Sequence, residues 1–262
     1  MIDYRAFEEQ LFTKWQSRSQ EMEDGDEFVP DGLLYRGDFF YDEWGNWERR
    51  PGDEVEKWTY CPMRLLIITK DLNDEEPWDI RAETGRKNSS GKENVIISAS
   101  FYKNLMRWAY GLLIVNEGKA IPSFEAVNQQ DVYQPFYDEK LIARINCKKQ
   151  LGGSSISPQK LKSYLNRYQD LLLEQIRFYD ADILLCCGGS DLIKDFIHEN
   201  YLPDLVYVND WMYYSISTNK LVVNSWHPCY RNDTHQNMYE EMMANYGDFS
   251  KKFFYNLLNS LK

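Results

Sequence analysis

Only three histidines occur in the 262 residues, and one of them, His227, is locked to Pro228 in "NSWHPCYR", directly after the apolar run Leu221-Val222-Val223. Imidazole changes charge near neutral pH and can donate, accept or pass on a proton. Three other apolar runs also end in polar or glycine clusters. "RLLIIT" (64–69) runs into Lys70-Asp71-Leu72-Asn73, "LIARIN" (141–146) into Asn146-Cys147-Lys148-Lys149, and "DILLCC" (182–187) into Gly188-Gly189-Ser190. A carboxylate such as Asp71 can orient water or offset a positive charge. The amide of Asn146 carries a donor and an acceptor side by side. Lys148 and Ser190 are the candidates for a phosphate contact, Ser190 in a glycine turn that loosely resembles a phosphate cradle. Each residue also has an ordinary use. Asp71 can cap a turn, Asn146 can end its strand through backbone hydrogen bonds, and Lys148 and Lys149 read as solvated charges. His198 and His235 read as surface residues.

These clusters share one crevice only if the runs that carry them are parallel neighbours. Continuous hydrophobicity over four to six residues marks strands buried on both faces. Helical spacing fills the intervals. Phe7, Leu11, Phe12 and Trp15 define an opening helix over 4–22. Phe101, Leu105, Trp108 and Leu112 line a second helix, which Ser100 can cap. Ser157-Pro158 starts a third, in which Leu161, Leu165, Tyr168, Leu172 and Ile176 keep helical period. A short helix over 191–200 and a closing helix over 238–261 follow, with a strand or hairpin around "LVYVNDWMYYSIST". Strands alternating with helices imply a parallel sheet covered on both faces, whose ligands bind beyond the carboxyl ends of the strands. The expectation is that 64–69, 141–146, 182–187 and 221–225 are adjacent parallel strands of one sheet. With no repeat and no linker, residues 1–262 read as one domain, in which 1–60 is a helical and irregular segment covering the core. The polar stretch 79–94 reads as a loop overhanging the crevice, its basic face made by Arg81, Arg86, Lys87 and Lys92.

Composition narrows the class. Hydrophobic residues at 43% and aromatics at 15% exclude a disordered chain. No apolar run approaches the roughly 18–20 residues of a membrane span. The opening Met1-Ile2-Asp3-Tyr4-Arg5 lacks the basic-then-apolar pattern of a signal peptide, so a cytoplasmic location is expected. Five cysteines without a CxxC pair fit a reducing compartment and no zinc or iron–sulfur site. No cofactor is expected. A net charge of −11 counts against tight nonspecific DNA binding and leaves room for local basic contacts only.

In their order, "IITKDLND", "INCKKQLGG", "DILLCCGGSD" and "VVNSWHPCYR" resemble the motifs of the uracil-DNA glycosylase superfamily over roughly residues 62–235. Leu72 stands where that family has proline, and Cys229 where it has serine. The resemblance implies a three-layer α/β/α sandwich with a central four-stranded parallel sheet. It implies Asp71 as the residue that positions water, Asn146 as the amide that reads the base, and His227 as the imidazole facing it. Phe101, Trp78 and Trp226 are the candidates for a stacking platform, Phe101 foremost, and Arg86 and Lys87 for contacts to nucleic acid. The activity implied is hydrolysis of the N-glycosidic bond of an altered base in DNA. The alternative is a non-catalytic module that binds a nucleobase, nucleotide or nucleic acid in the same crevice.

Overall fold

The structure, a computed structural model, describes residues 4–25, 28–43, 45, 47–72, 78–84, 100–115, 118–151 and 156–259. Its elements in chain order are α1 (Tyr4–Glu21), β1 (Gly32–Leu33), β2 (Phe39–Tyr41), β3 (Trp47–Arg49), α2 (Glu54–Thr59), β4 (Leu65–Thr69), α3 (Ser100–Ile114), α4 (Phe124–Val127), α5 (Gln130–Glu139), β5 (Ile142–Asn146), α6 (Pro158–Arg167), α7 (Gln169–Tyr179), β6 (Ile183–Cys186), α8 (Leu192–Asn200), β7 (Leu205–Tyr207), β8 (Met212–Ser215), β9 (Lys220–Asn224) and α9 (His235–Asn259). No helix among the described residues is long and apolar enough to cross a membrane.

The four apolar runs form the contiguous parallel group β5-β4-β6-β9. The sheet they belong to has seven strands, in the order β1-β5-β4-β6-β9-β8-β7, rather than the four expected. The added strands are antiparallel edges. β1 pairs with β5 at one side, and the hairpin β7–β8 joins β9 at the other. β1 is two residues long and so carries no periodic signal. A separate hairpin, β2–β3, interrupts the segment expected to be irregular, with Tyr41 and Trp47 in ring contact at 3.8 Å.

Side chains along each parallel strand alternate between two hydrophobic clusters. Leu65 and Ile67 of β4 pack with Leu105, Trp108 and Leu112 of α3, Tyr133 and Tyr137 of α5, and Tyr239 and Met242 of α9. Leu66 and Ile68 pack with Leu11 and Trp15 of α1, Leu161 and Leu165 of α6, Leu172 and Ile176 of α7, and Ile193 and Ile197 of α8. Helices therefore cover both faces of the sheet, which explains why its central strands read as unbroken apolar runs. The run expected as one helix from Pro158 is two, because Tyr168 leaves helical geometry (φ −111°, ψ 18°) while its hydroxyl donates to Asp24 at 2.8 Å. Ser157 caps α6, its hydroxyl accepting from the Lys160 amide at 3.2 Å.

Candidate functional site

The parallel group brings the four polar endings to one edge of the sheet, and the first pair of strands stays paired beyond its ladder. The Cys147 amide donates to the Thr69 carbonyl at 2.8 Å and the Lys148 amide to the Lys70 carbonyl at 2.9 Å, up to a parallel bridge between Leu72 and Leu151. Asn146 sits in register with Thr69 and is fully buried. Its Oδ1 accepts from the Thr69 hydroxyl, and its backbone amide donates to Asp31 Oδ2 at 2.7 Å. Its Nδ2 is buried with no acceptor among the described residues, an open donor whose isolation is costly.

That same pairing buries the two lysines expected in solvent. Lys149 is 0% exposed, and its ammonium donates to both oxygens of Asp31 at 2.5 Å and to Gln175 Oε1 at 2.8 Å. Burial lowers its pKa, and Asp31 opposes the shift. Gln175 Nε2 completes the group by donating to Asp31 Oδ1 at 2.9 Å. Lys148 is 4% exposed and donates to the carbonyls of Gln150 (2.8 Å) and Leu151, so it is not the outward phosphate contact expected from the sequence. Asp71 is half-buried beside it. Burial raises the Asp71 carboxyl above its ordinary range, and the charges of Lys148, Lys70 and Lys160 pull it back.

On the far side of the edge, β9 passes into the His-Pro loop. The Ser225 amide donates to the Cys186 carbonyl at 3.0 Å, and the Ser225 carbonyl accepts from the Gly189 amide at 3.2 Å. Gly189 has φ +65°, and a Cβ there would stand 3.1 Å from the His227 nitrogen, so the turn needs glycine both for its backbone and for this close approach. Ser190 follows it, exposed, on the way into α8. Asn104 of α3 holds the loop from the other side, its Nδ2 donating to the Pro228 carbonyl at 2.7 Å.

The imidazole of His227 is fixed in state as well as in place. Its Nδ1 accepts from the Cys229 amide at 3.2 Å, so in the neutral ring the proton lies on Nε2. Burial, with the charges of Lys70 and Arg144 adding to it, pushes the pKa down to about 4. At neutral pH the residue is therefore an uncharged Nε2–H donor. The Phe101 ring lies 5.8 Å from the imidazole, tilted by 51°, and on its other contact covers the Arg144 guanidinium at 4.9 Å.

Arg144 is the main feature the sequence reading passed over. It precedes Asn146 by two positions on β5, on the same face, and is buried. Glu83 pairs with it and also accepts from the Tyr137 hydroxyl at 2.7 Å. A charge inside the apolar "LIARIN" was the available signal, since such a residue is kept only with a partner. Glu83, Asp31, Thr69 and Asn104 gave no local signal.

Ring contacts thus join His227, Phe101 and Arg144, with Asn146 two positions beyond Arg144 on β5 and Asp71 two residues past the end of β4. Trp226 instead stacks on Tyr230 at 4.5 Å, and Trp78 packs against the first cluster. Arg86, Lys87 and Lys92 lie outside the described residues. Arg81, expected on the exposed basic loop, is buried in the middle of a turn (Ile80–Ala82) capped by Asp79. It pairs with Asp79 at 2.8 Å, Glu8 at 2.9 Å and Glu9 at 3.2 Å, because the fully buried Glu8 requires cations around it. His198 is exposed, as expected, whereas His235 is half-buried against Arg107. Among the described residues no group of three or more His, Cys, Asp or Glu side chains is placed to hold a metal ion. No protein-family model matches the chain, and no curated protein matches it at a significant level.

Proposed function

We propose that this edge of the sheet binds an extruded nucleobase and hydrolyses its N-glycosidic bond, with an altered base in DNA as the substrate. The observation that carries the reading is the state of His227, a neutral imidazole whose Nε2 proton is its only donor. Cleavage of a glycosidic bond leaves the sugar with positive character and the base with negative character, and a fixed donor aimed at the base oxygen favours that transition state. Phe101 supplies a ring for the base to stack on, and the open Nδ2 of Asn146 a donor for one of its carbonyls. Burial keeps the imidazole neutral, and the charges of Lys70 and Arg144, which add to that effect, also favour negative charge on the departing base. Asp71 orients water and offsets charge on the sugar. The resemblance of "IITKDLND", "INCKKQLGG" and "VVNSWHPCYR" to the uracil-DNA glycosylase superfamily supports the same assignment.

A second reading, a module that binds the base without cleaving it, is favoured by the altered first motif, in which Leu72 follows Asp71 where the resembled family has proline, and by the net charge of −11. Incubation with single- and double-stranded oligonucleotides bearing uracil or other altered bases separates the two. The enzyme leaves an abasic strand that alkali cuts. Asp71→Asn then lowers turnover by up to about 100-fold, the scale of a misplaced reactant, while substrate binding survives. Binding without any abasic product across the panel selects the module.

A further inference from the structure

Arg107 of α3 is a buried cation in want of an anion. It is 5% exposed, and its hydrogen bonds go to neutral acceptors only: Nη1 donates to Asn104 Oδ1 at 3.3 Å and Nη2 to Asn128 Oδ1 at 2.5 Å. Nε is buried with no acceptor among the described residues, and no carboxylate among them pairs with the guanidinium. The rings of Phe124 and Tyr133, 5.4 and 5.2 Å away, soften the charge without neutralising it. Every other arginine or lysine that is buried here has a carboxylate or a set of backbone carbonyls around it, as Arg81, Arg144, Lys149 and Lys148 do. An uncompensated buried charge is strongly destabilising, so a fold that retains one has a use for it.

Of its neighbours, Lys103 carries the same sign and His235 brings a neutral imidazole. His235, the first residue of the 25-residue helix α9, brings Nδ1 to 3.5 Å from Arg107 Nη1. Burial, with the charges of Arg107 and Lys103 adding to it, disfavours protonation of the His235 ring. The amino end of α9 contributes positive potential as well. Asp233 is the nearest carboxylate in sequence, and its Oδ1 accepts from the Thr234 amide at 2.7 Å and from Asn237 Nδ2 at 2.8 Å. Lys103 and His235 are half-exposed and Asn128 is exposed, so the group opens to solvent.

We propose that Arg107, Lys103 and His235 form a phosphate-binding subsite, in which a phosphate oxygen replaces Asn128 on the guanidinium. It lies six residues beyond Phe101 on α3, about 9 Å along the helix, and so is separate from the base-binding edge. The subsite does not require that any base be excised. Its ligand is a phosphate oxyanion, either free or in a nucleic-acid backbone.

Thermal unfolding of the whole protein tests it, with inorganic phosphate in one arm and a short unmodified single-stranded oligodeoxynucleotide in the other, each against chloride at equal ionic strength. A ligand of the folded state raises the unfolding temperature with its concentration and saturates. Saturable stabilisation by phosphate is expected if the source is free phosphate, and by the oligonucleotide alone if it is a phosphodiester. In the Lys103→Gln/His235→Gln variant, which changes only half-exposed side chains, the apparent affinity falls about tenfold or more. No saturable effect of either anion beyond chloride, or an unchanged affinity in the variant, overturns the proposal. Neither outcome bears on base release, which the excision experiment reads separately.

Discussion

Replacement of His227 by alanine lowers base release roughly 100–1,000-fold, or about 3–4 kcal/mol of transition-state stabilisation, the scale set by removal of one oxyanion donor. The loss falls on turnover because the donor matters most when charge has developed on the departing base. The fold survives. In the folded protein His227 is a half-buried loop residue whose side chain accepts one hydrogen bond, from the Cys229 amide, so stability changes by about 1 kcal/mol. Glutamine at this position keeps an amide donor on a side chain of similar reach and recovers part of the rate. In a binding module the same substitutions weaken affinity for the base, with no turnover to lose. If His227→Ala unfolds the protein, the histidine is structural and the mechanism fails.

Asp31→Ala destabilises the protein by about 3–5 kcal/mol, the cost of leaving one member of a buried ion pair without its partner. That is a large part of the roughly 5–15 kcal/mol available to a domain. The carboxylate satisfies the Lys149 ammonium, Gln175 Nε2 and the Asn146 amide together, and its removal strands all three. The ammonium also lies 4.9 Å over the Trp15 ring, so it has no path to water without disturbing α1. Adding Lys149→Met to Asp31→Ala restores much of the loss, because the uncompensated charge goes with it, though the Asn146 amide still lacks its acceptor. Urea unfolding of the two single variants and the double reads this directly. Additive losses would mean that the pair is not coupled.

These two predictions also mark where the sequence was legible. "LLIIT", "IARIN", "ILLC" and "LVVN" declared themselves as central strands because burial on both faces leaves no polar position to interrupt them. Their parallel order followed from the helices between them. The His-Pro loop was legible for the same reason, since proline and a polar cluster end a strand visibly. What stayed hidden were the buried charges. Lys149 finds Asp31 at 118 residues' separation, Arg144 finds Glu83 at 61, and Arg81 finds Glu8 at 73. A lone charged residue in sequence reads as solvated until its distant partner is known, as Lys149 and Arg81 do, whereas Lys148 turns back onto the carbonyls of Gln150 and Leu151. Edge strands escaped notice because β1 is too short for any period to appear.

Base release as proposed needs a neutral His227 that holds its proton on Nε2. With three histidines in the chain, one nitrogen-resolved NMR titration of the imidazoles reads this state without ambiguity. For His227 the account predicts an acceptor-type Nδ1, a protonated Nε2, and no change from pH 8 down to pH 5, because its pKa lies at about 4. The sign is fixed by burial: the charged form is disfavoured, so protonation comes only as pH falls toward that value. A midpoint near 6.5, or a proton on Nδ1 at neutral pH, would contradict it.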